Sequence, residues 1–170
     1  MECVIFVGIQ ASGKSTFFKE RFFNSHIRIN MDMLITRHRE NIYLAASFQA
    51  KQPFVVDNTN PTIEDRSKYI SLAKEHKFRV VGYYFEPDFA ESIKRNEVRL
   101  GREKVPEVGI KSVMKRLQTP GFSEGFDTLY RVRTEDGKFY VEEMHERIEG
   151  SLKSSAIIVP EILKEEKSDL

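Results

Sequence analysis

A single cysteine, Cys3, stands in the whole chain, so no intramolecular disulfide can staple it, and the apolar run around the thiol marks it as a buried one. There is no tryptophan, and the nine glycines and six prolines are scattered without repeat or low-complexity tract, which sets aside fibrous and disordered classes. No apolar stretch approaches the roughly 20 residues of a membrane helix. No basic-then-apolar leader precedes the glycine loop after Val7, so the protein is expected to be soluble and intracellular, with no membrane partner. An excess of one charge is missing too: 27 Lys and Arg face 26 Asp and Glu, a formal +1, so any polyanion must be met by local clustering of basic residues. His26, His38, His76 and His145 lack paired metal-ligand spacing, and no Gly-x-Ser-x-Gly or Cys-His arrangement occurs. Zinc and acyl-transfer chemistry are therefore not expected.

What is present alternates. Glu2 to Val7 reads as a buried strand feeding a tight loop, and a helix is expected from Lys14 to about Phe23. Ile27 to Ile29 is a short strand, and Asp32 to Ala50 reads as one helical crossover, free of Gly and Pro. Pro53 to Asp57 repeats the strand logic, and Asn58-Thr59-Asn60-Pro61 makes a turn into a helix reaching about His76, with Pro61 near its first position. Phe78 to Phe85 is the longest strand candidate, and Pro87 with Asp88 starts a helix to about Leu100. Leu129 to Val132 and Phe139 to Val141 are expected to pair as a hairpin around Glu135-Asp136-Gly137. Strands alternating with helices imply an α/β fold: a central parallel sheet flanked by helices, with its ligand site at the carboxyl ends of the strands.

Gly8-Ile9-Gln10-Ala11-Ser12-Gly13-Lys14-Ser15 fits G-x-x-x-x-G-K-[ST] and stands between an apolar strand and a helix, where such a loop has to be. The run from Gly8 through Ala11, Ser12 and Gly13 to Thr16 can curl so that successive N–H groups face phosphate oxygens at a helix N-terminus. Lys14 is expected across the β- and γ-phosphates of ATP, with the Ser15 hydroxyl on Mg²⁺ and Thr16 offering a further hydroxyl.

Transfer to an alcohol needs a carboxylate near the γ-phosphate. Asp32 is the leading candidate, emerging after the Ile27 to Ile29 strand at the sheet edge that bears the glycine loop; the same position suits a helix N-cap. Asp57 closes the next strand, followed by Asn58, Thr59 and Asn60, and reads either as the orienter of metal-bound water or as an Asx turn. Between Lys94 and Arg116 the charge turns positive. Arg95 and Arg99, four apart, share a face if helical, and with Arg102, the hinge candidate Gly101 and a helix restarting at Val105-Pro106 they read either as a lid over the phosphates or as a solvated basic face.

Four elements in order resemble the kinase domain of the 5′-polynucleotide kinases, in both its bacteriophage and animal branches. They are Gly8 to Thr16, Ile29-Asn30-Met31-Asp32, Val56 to Thr62, and Lys94-Arg95-Asn96 with Arg99 and Val105-Pro106, within a match from Val4 to about Phe126; Asp57 to Thr62 and Glu124-Gly125-Phe126 look closest to the animal branch. The resemblance implies a P-loop kinase with a helical lid over residues 1–150, followed by a tail at 151–170. It implies ATP and Mg²⁺ as cofactors and a nucleic acid with a 5′-hydroxyl end, DNA or RNA, as partner. Asp32 becomes the general base, Lys14 and Ser15 hold nucleotide and metal, Arg99 is the lid arginine with Arg95 as a second, and Asp57 supports the acceptor and metal side beside Asn58, Thr59 and Asn60. The chain departs from the phage branch, which has an arginine three residues after the base; here Ile35 stands there, with Arg37 and Arg39 beyond, and Met31 replaces the usual arginine before the base. No Asp-x-Asp-Gly-Thr motif occurs, so 3′-phosphatase activity is not expected. Two other classes fit a P-loop: a kinase for a small molecule or another RNA position, and a non-catalytic module controlled by ATP.

Overall fold

The computed structural model describes residues 1–146. The expected tail at 151–170, including Ile157 to Val159, and positions 147–150 lie outside the described residues. The fold is α/β, a six-stranded sheet in the order β2-β3-β1-β4-β5-β6. Strands β1 (Glu2–Val7), β2 (Ile27–Ile29), β3 (Phe54–Val56), β4 (Arg79–Phe85) and β5 (Thr128–Glu135) run parallel, and β6 (Lys138–Met144) is antiparallel to β5.

The continuous apolar run of β1 follows from burial on both faces. Cys3, Ile5 and Val7 pack with Leu44, Phe48, Tyr69, Ile70 and Ala73 of α3 (Arg37–Ala50) and α4 (Ile63–Glu75). Val4 and Phe6 face the other way, onto Phe17, Phe18 and Phe22 at α1 (Lys14–Arg21). Phenylalanine supplies the volume that tryptophan does not: Phe6 meets Phe85 edge-to-face at 5.2 Å, and Phe17 meets Phe139 at 5.1 Å.

The expected helix from Asp32 to Ala50 is two helices, α2 (Met31–Leu34) and α3. Ile35 adopts φ 70°, a strained choice for a β-branched residue, and Thr36 starts α3 afresh by accepting a hydrogen bond from the Arg39 N–H. The helix after Pro61 begins at Ile63, because Thr62 and Asp65 form a reciprocal capping box one residue past the proline. The first helix stops at Arg21 rather than Phe23. The hairpin is longer than expected, and Asp136 and Gly137, both at positive φ, form its two-residue turn.

The chain past β4 differs more. Helix α5 (Phe89–Glu97) ends before Arg99, so Arg95 and Arg99 do not share a helical face. The Asn96 side chain is the cause: its amide donates to the Val105 carbonyl at 2.6 Å and accepts from the Val105 N–H at 2.9 Å, pinning the chain back before α6 (Glu107–Arg116). Ile110 and Val113 of α6, with Phe89 and Ile93 of α5, then enclose Ile9 of the glycine loop, which places this helical arm beside that loop.

Candidate active site

Strands β1 and β3 are neighbours, with Ile5 opposite Val56, so the glycine loop and the Asp57 to Asn60 loop leave the sheet side by side. The Gly8 N–H donates to the Thr59 carbonyl at 3.0 Å, and the Asn60 amide donates to the Phe6 carbonyl at 2.8 Å. From β2, the Asn30 amide donates to the Asp57 carbonyl at 2.5 Å, while the Met31 N–H donates to Asn58 Oδ1 at 2.9 Å. Three strand ends are thereby joined into one edge.

The glycine loop has the curl its sequence implied. Ala11 and Gly13 adopt positive φ, 58° and 94°. A Cβ on Gly8 would lie 2.9 Å from Phe85 Cβ, and one on Gly13 would lie 3.0 Å from the Phe139 ring and 3.7 Å from Arg95 Nη1. Arg95 and the β5–β6 hairpin therefore both approach the loop. Lys14 is folded onto that loop, its ammonium donating to the carbonyls of Gly8 at 3.0 Å and Ile9 at 2.5 Å and to Ser12 Oγ at 3.3 Å. Burial pushes Lys14 down from 10.5 to about 8; Arg99 pushes the same way, and Asp57 and Asp32 oppose it. Asp57, Arg99 and Asp32 thus all lie within electrostatic reach of Lys14.

Asp57 is buried, and its Oδ2 accepts from the Ser15 hydroxyl at 3.2 Å and from Arg28 Nε at 2.8 Å. The Asx-turn alternative for Asp57 gives way to these contacts. Arg28 Nη2 also donates to Ser15 Oγ at 2.9 Å. Ser15 and Asp57 form a pair of hard oxygen donors of the kind Mg²⁺ takes, and the guanidinium among them shows that the pair accepts positive charge. Among the described residues no three His, Cys, Asp or Glu gather as a larger metal cage.

Asp32 is exposed in the first turn of α2, and the cap role belongs to Asn30, whose side chain accepts from the Met33 N–H. Asp32 is therefore left free of that task. Asn58 and Asn60 are engaged by backbone groups, and Thr16 is exposed one step beyond the loop. Arg99 donates to the Glu103 carbonyl at 3.3 Å.

Three residues escaped the sequence reading. Arg28 faces Asp57 because it pairs with Val55 in register and Asp57 lies two residues on, on the same side; an arginine between two isoleucines was the available signal. Arg66, fully buried, donates twice to Glu124, at 2.7 and 2.8 Å, and to the carbonyls of Asn60, Pro61 and Gln118, which clamps the end of the loop that follows Asp57. Glu40 is buried at the N-terminal turn of α3. Burial pushes its carboxyl up, yet hydrogen bonds from Lys68, Tyr69 and Arg37 outweigh that and hold it below the usual carboxylate range.

A phosphate-cradling loop at the end of the central strand of a mostly parallel sheet, followed by a helix that begins at its lysine, defines a P-loop domain of the kinase-like kind. The chain belongs to the AAA domain family, whose model matches residues 3–120. It is 28% identical over 137 residues to the bifunctional polynucleotide phosphatase/kinase of Schizosaccharomyces pombe. That alignment takes in 77% of this chain and 33% of the relative, so the chain spans about a third of the curated relative's length. Among solved structures, Chaetomium thermophilum Kti12 in complex with ADP-AlF3 superposes with a TM-score of 0.58 at 16% identity, over 79% of this chain and 90% of that one. A gluconokinase from Sinorhizobium meliloti gives 0.53 at 18% identity, over 78% and 82%. These two share the fold.

Proposed function

We propose that this protein transfers the γ-phosphate of ATP to the 5′-hydroxyl of a polynucleotide. The observation that carries the reading is the seating of Lys14 and Asp57 at neighbouring strand ends, with Asp57, Arg99 and Asp32 close enough for their charges to act on the Lys14 ammonium. The relative's name supplies the acceptor class.

In this reading the acceptor hydroxyl approaches Asp32, whose exposed carboxylate accepts the proton as the oxygen attacks. Lys14 leaves the Gly8 and Ile9 carbonyls and turns its charge to the phosphates, and Arg99 and Arg95 bear on the oxygens of the transferring group. The backbone N–H groups from Ala11 to Thr16 hold the phosphate chain. Ser15 and Asp57 would hold Mg²⁺, and the metal would supply charge neutralisation to the phosphates. Asn58, Thr59 and Asn60 set the floor on which the acceptor end rests. Residues 1–150 form the catalytic unit.

The test incubates the full chain and labelled ATP with 5′-hydroxyl DNA and RNA oligonucleotides, beside a panel of small alcohols including gluconate. Labelled oligonucleotide is expected with wild type, and none with Asp32→Ala, which still binds ATP. Near-normal labelling by Asp32→Ala would rule out the base. Labelling confined to the small alcohols would assign the site to that class instead.

A further inference from the structure

The residue that sequence reasoning overlooked sits at the oxygen pair assigned above to metal. Arg28 Nε and Nη2 lie 2.8 and 2.7 Å from Asp57 Oδ2, and Nη2 lies 2.9 Å from Ser15 Oγ. Through Nη2 this one planar fork engages both donors of the pair. We propose that Arg28 is a resident counter-cation that holds Asp57 and Ser15 in their metal-ready arrangement and competes with the divalent cation for them. The inference rests on the reading of Ser15 and Asp57 as the metal side.

The physical grounds are geometric. Mg²⁺ demands near-ideal octahedral oxygen ligands at about 2.0–2.1 Å. Ser15 Oγ accepts from Arg28 while its proton points at Asp57, so a metal at that oxygen has to share it with the guanidinium. Asp57 Oδ2 already accepts from Ser15 and from Arg28 Nε, with Arg28 Nη2 against it as an ion-pair contact. A guanidinium and a dication at the same oxygens also repel. Without any cation, a carboxylate as deeply buried as Asp57 is left uncompensated, which proteins avoid; Arg28 answers that need whenever metal is away.

The exit is built in as well. Strand β2 is the three-residue edge of the sheet, and the Arg28 side chain retains 29% exposure. Its guanidinium sits 5.8 Å over the Phe18 ring, so the side chain can swing outward along an aromatic surface rather than through packed core. Metal loading thus exchanges one cation for another, and Arg28 sets the concentration at which the exchange happens.

The experiment measures Mn²⁺ binding to the full chain with ADP bound, by loss of the free-ion electron paramagnetic resonance signal, so no turnover is involved. Arg28→Met is expected to bind Mn²⁺ about tenfold tighter or more, the factor set by removing a charged hydrogen-bond competitor. Arg28→Lys, which keeps the charge without the fork, is expected between the two and serves if the methionine variant does not fold. Ser15→Ala and Asp57→Asn are expected to weaken Mn²⁺ binding in the wild-type background. Folded Arg28 variants that bind Mn²⁺ no tighter than wild type, while Asp57→Asn binds it more weakly, would overturn the competition and leave the metal assignment standing. Unchanged binding in both Ser15→Ala and Asp57→Asn would remove the metal assignment itself, and the competition with it.

Discussion

Raising the pH from 7 to 9 strips a proton from Lys14 in the free protein well before an ordinary lysine would lose one, because burial has brought it down to about 8. At pH 7 about nine-tenths of the molecules carry the charge, and at pH 9 about one-tenth. Phosphate oxygens beside the ammonium favour the charged form and return it to at least its ordinary range. Nucleotide binding is therefore expected to take up about 0.1 proton through Lys14 at pH 7 and about 0.9 at pH 9, and affinity is expected to fall about tenfold between them. Isothermal titration at each pH, in two buffers of different ionisation enthalpy, reads the proton count directly. Lys14→Arg, which keeps its charge throughout, reports the protons exchanged by the nucleotide itself. Equal uptake by wild type at the two pH values, or the same pH dependence in Lys14→Arg, would refute the reasoning. The same depression has a stability consequence with a fixed sign. Below pH 8 Lys14 is charged folded or unfolded, and the burial cost is constant. Between 8 and 10.5 the unfolded chain keeps a proton that the folded one has released, so this group's contribution rises with pH by about 3 kcal/mol in all.

Two further predictions concern the frame around the site. Glu124→Gln leaves Arg66 buried with its charge unpaired, and is expected to lower unfolding free energy by about 3–5 kcal/mol in urea titrations; an unchanged midpoint would show that the three backbone carbonyls alone satisfy Arg66. Gly82→Ala places a Cβ 2.5 Å from Leu129 Cδ2 and 2.8 Å from the Phe126 ring, inside the core. Overpacking of that kind is expected to cost about 1–3 kcal/mol by the same assay, and a variant as stable as wild type would mean the β4–β5 contact is looser than it stands here.

Local signals in the chain reported what is held locally. The bounds of β1 were legible because a run buried on both faces must be apolar throughout, those of β2 because β-branched residues flank its arginine, and the glycine loop because a phosphate cradle needs its pattern between strand and helix. The break at Ile35 was less so: propensity argues against a β-branched residue at positive φ, and only Thr36, a good N-cap, signalled a new start. Spacing alone put Arg95 and Arg99 on one face, but a side chain nine residues from its partner, Asn96 on Val105, ends the helix between them. Arg28 and Arg66 were the hardest, since their carboxylates lie 29 and 58 positions away and are brought close only by tertiary structure. A charge whose partner is fixed by the fold leaves no periodic trace.

That division has a consequence for how the site works. Asp32 is carried on a helix of four residues, which on its own has too few hydrogen bonds to hold that carboxylate in place. Its position comes instead from the bonds at either side of Asp57, Asn30 to the Asp57 carbonyl and Met31 to Asn58, and from Gly8 to Thr59, which carries the same frame across to the phosphate loop. Arg66 then fixes the far end of that frame at Asn60 and Pro61. The start of α2 and the glycine loop are therefore tied into one hydrogen-bonded frame. The arm bearing Arg95 and Arg99 is joined to the loop chiefly through apolar packing on Ile9, with Asn96 bracing it internally. Apolar contacts are non-directional and tolerate sliding, whereas the hydrogen-bonded edge does not. The distance between Asp32 and Lys14 is thus set by the fold, and the placement of the two arginines is the part of the site left free to respond to what binds.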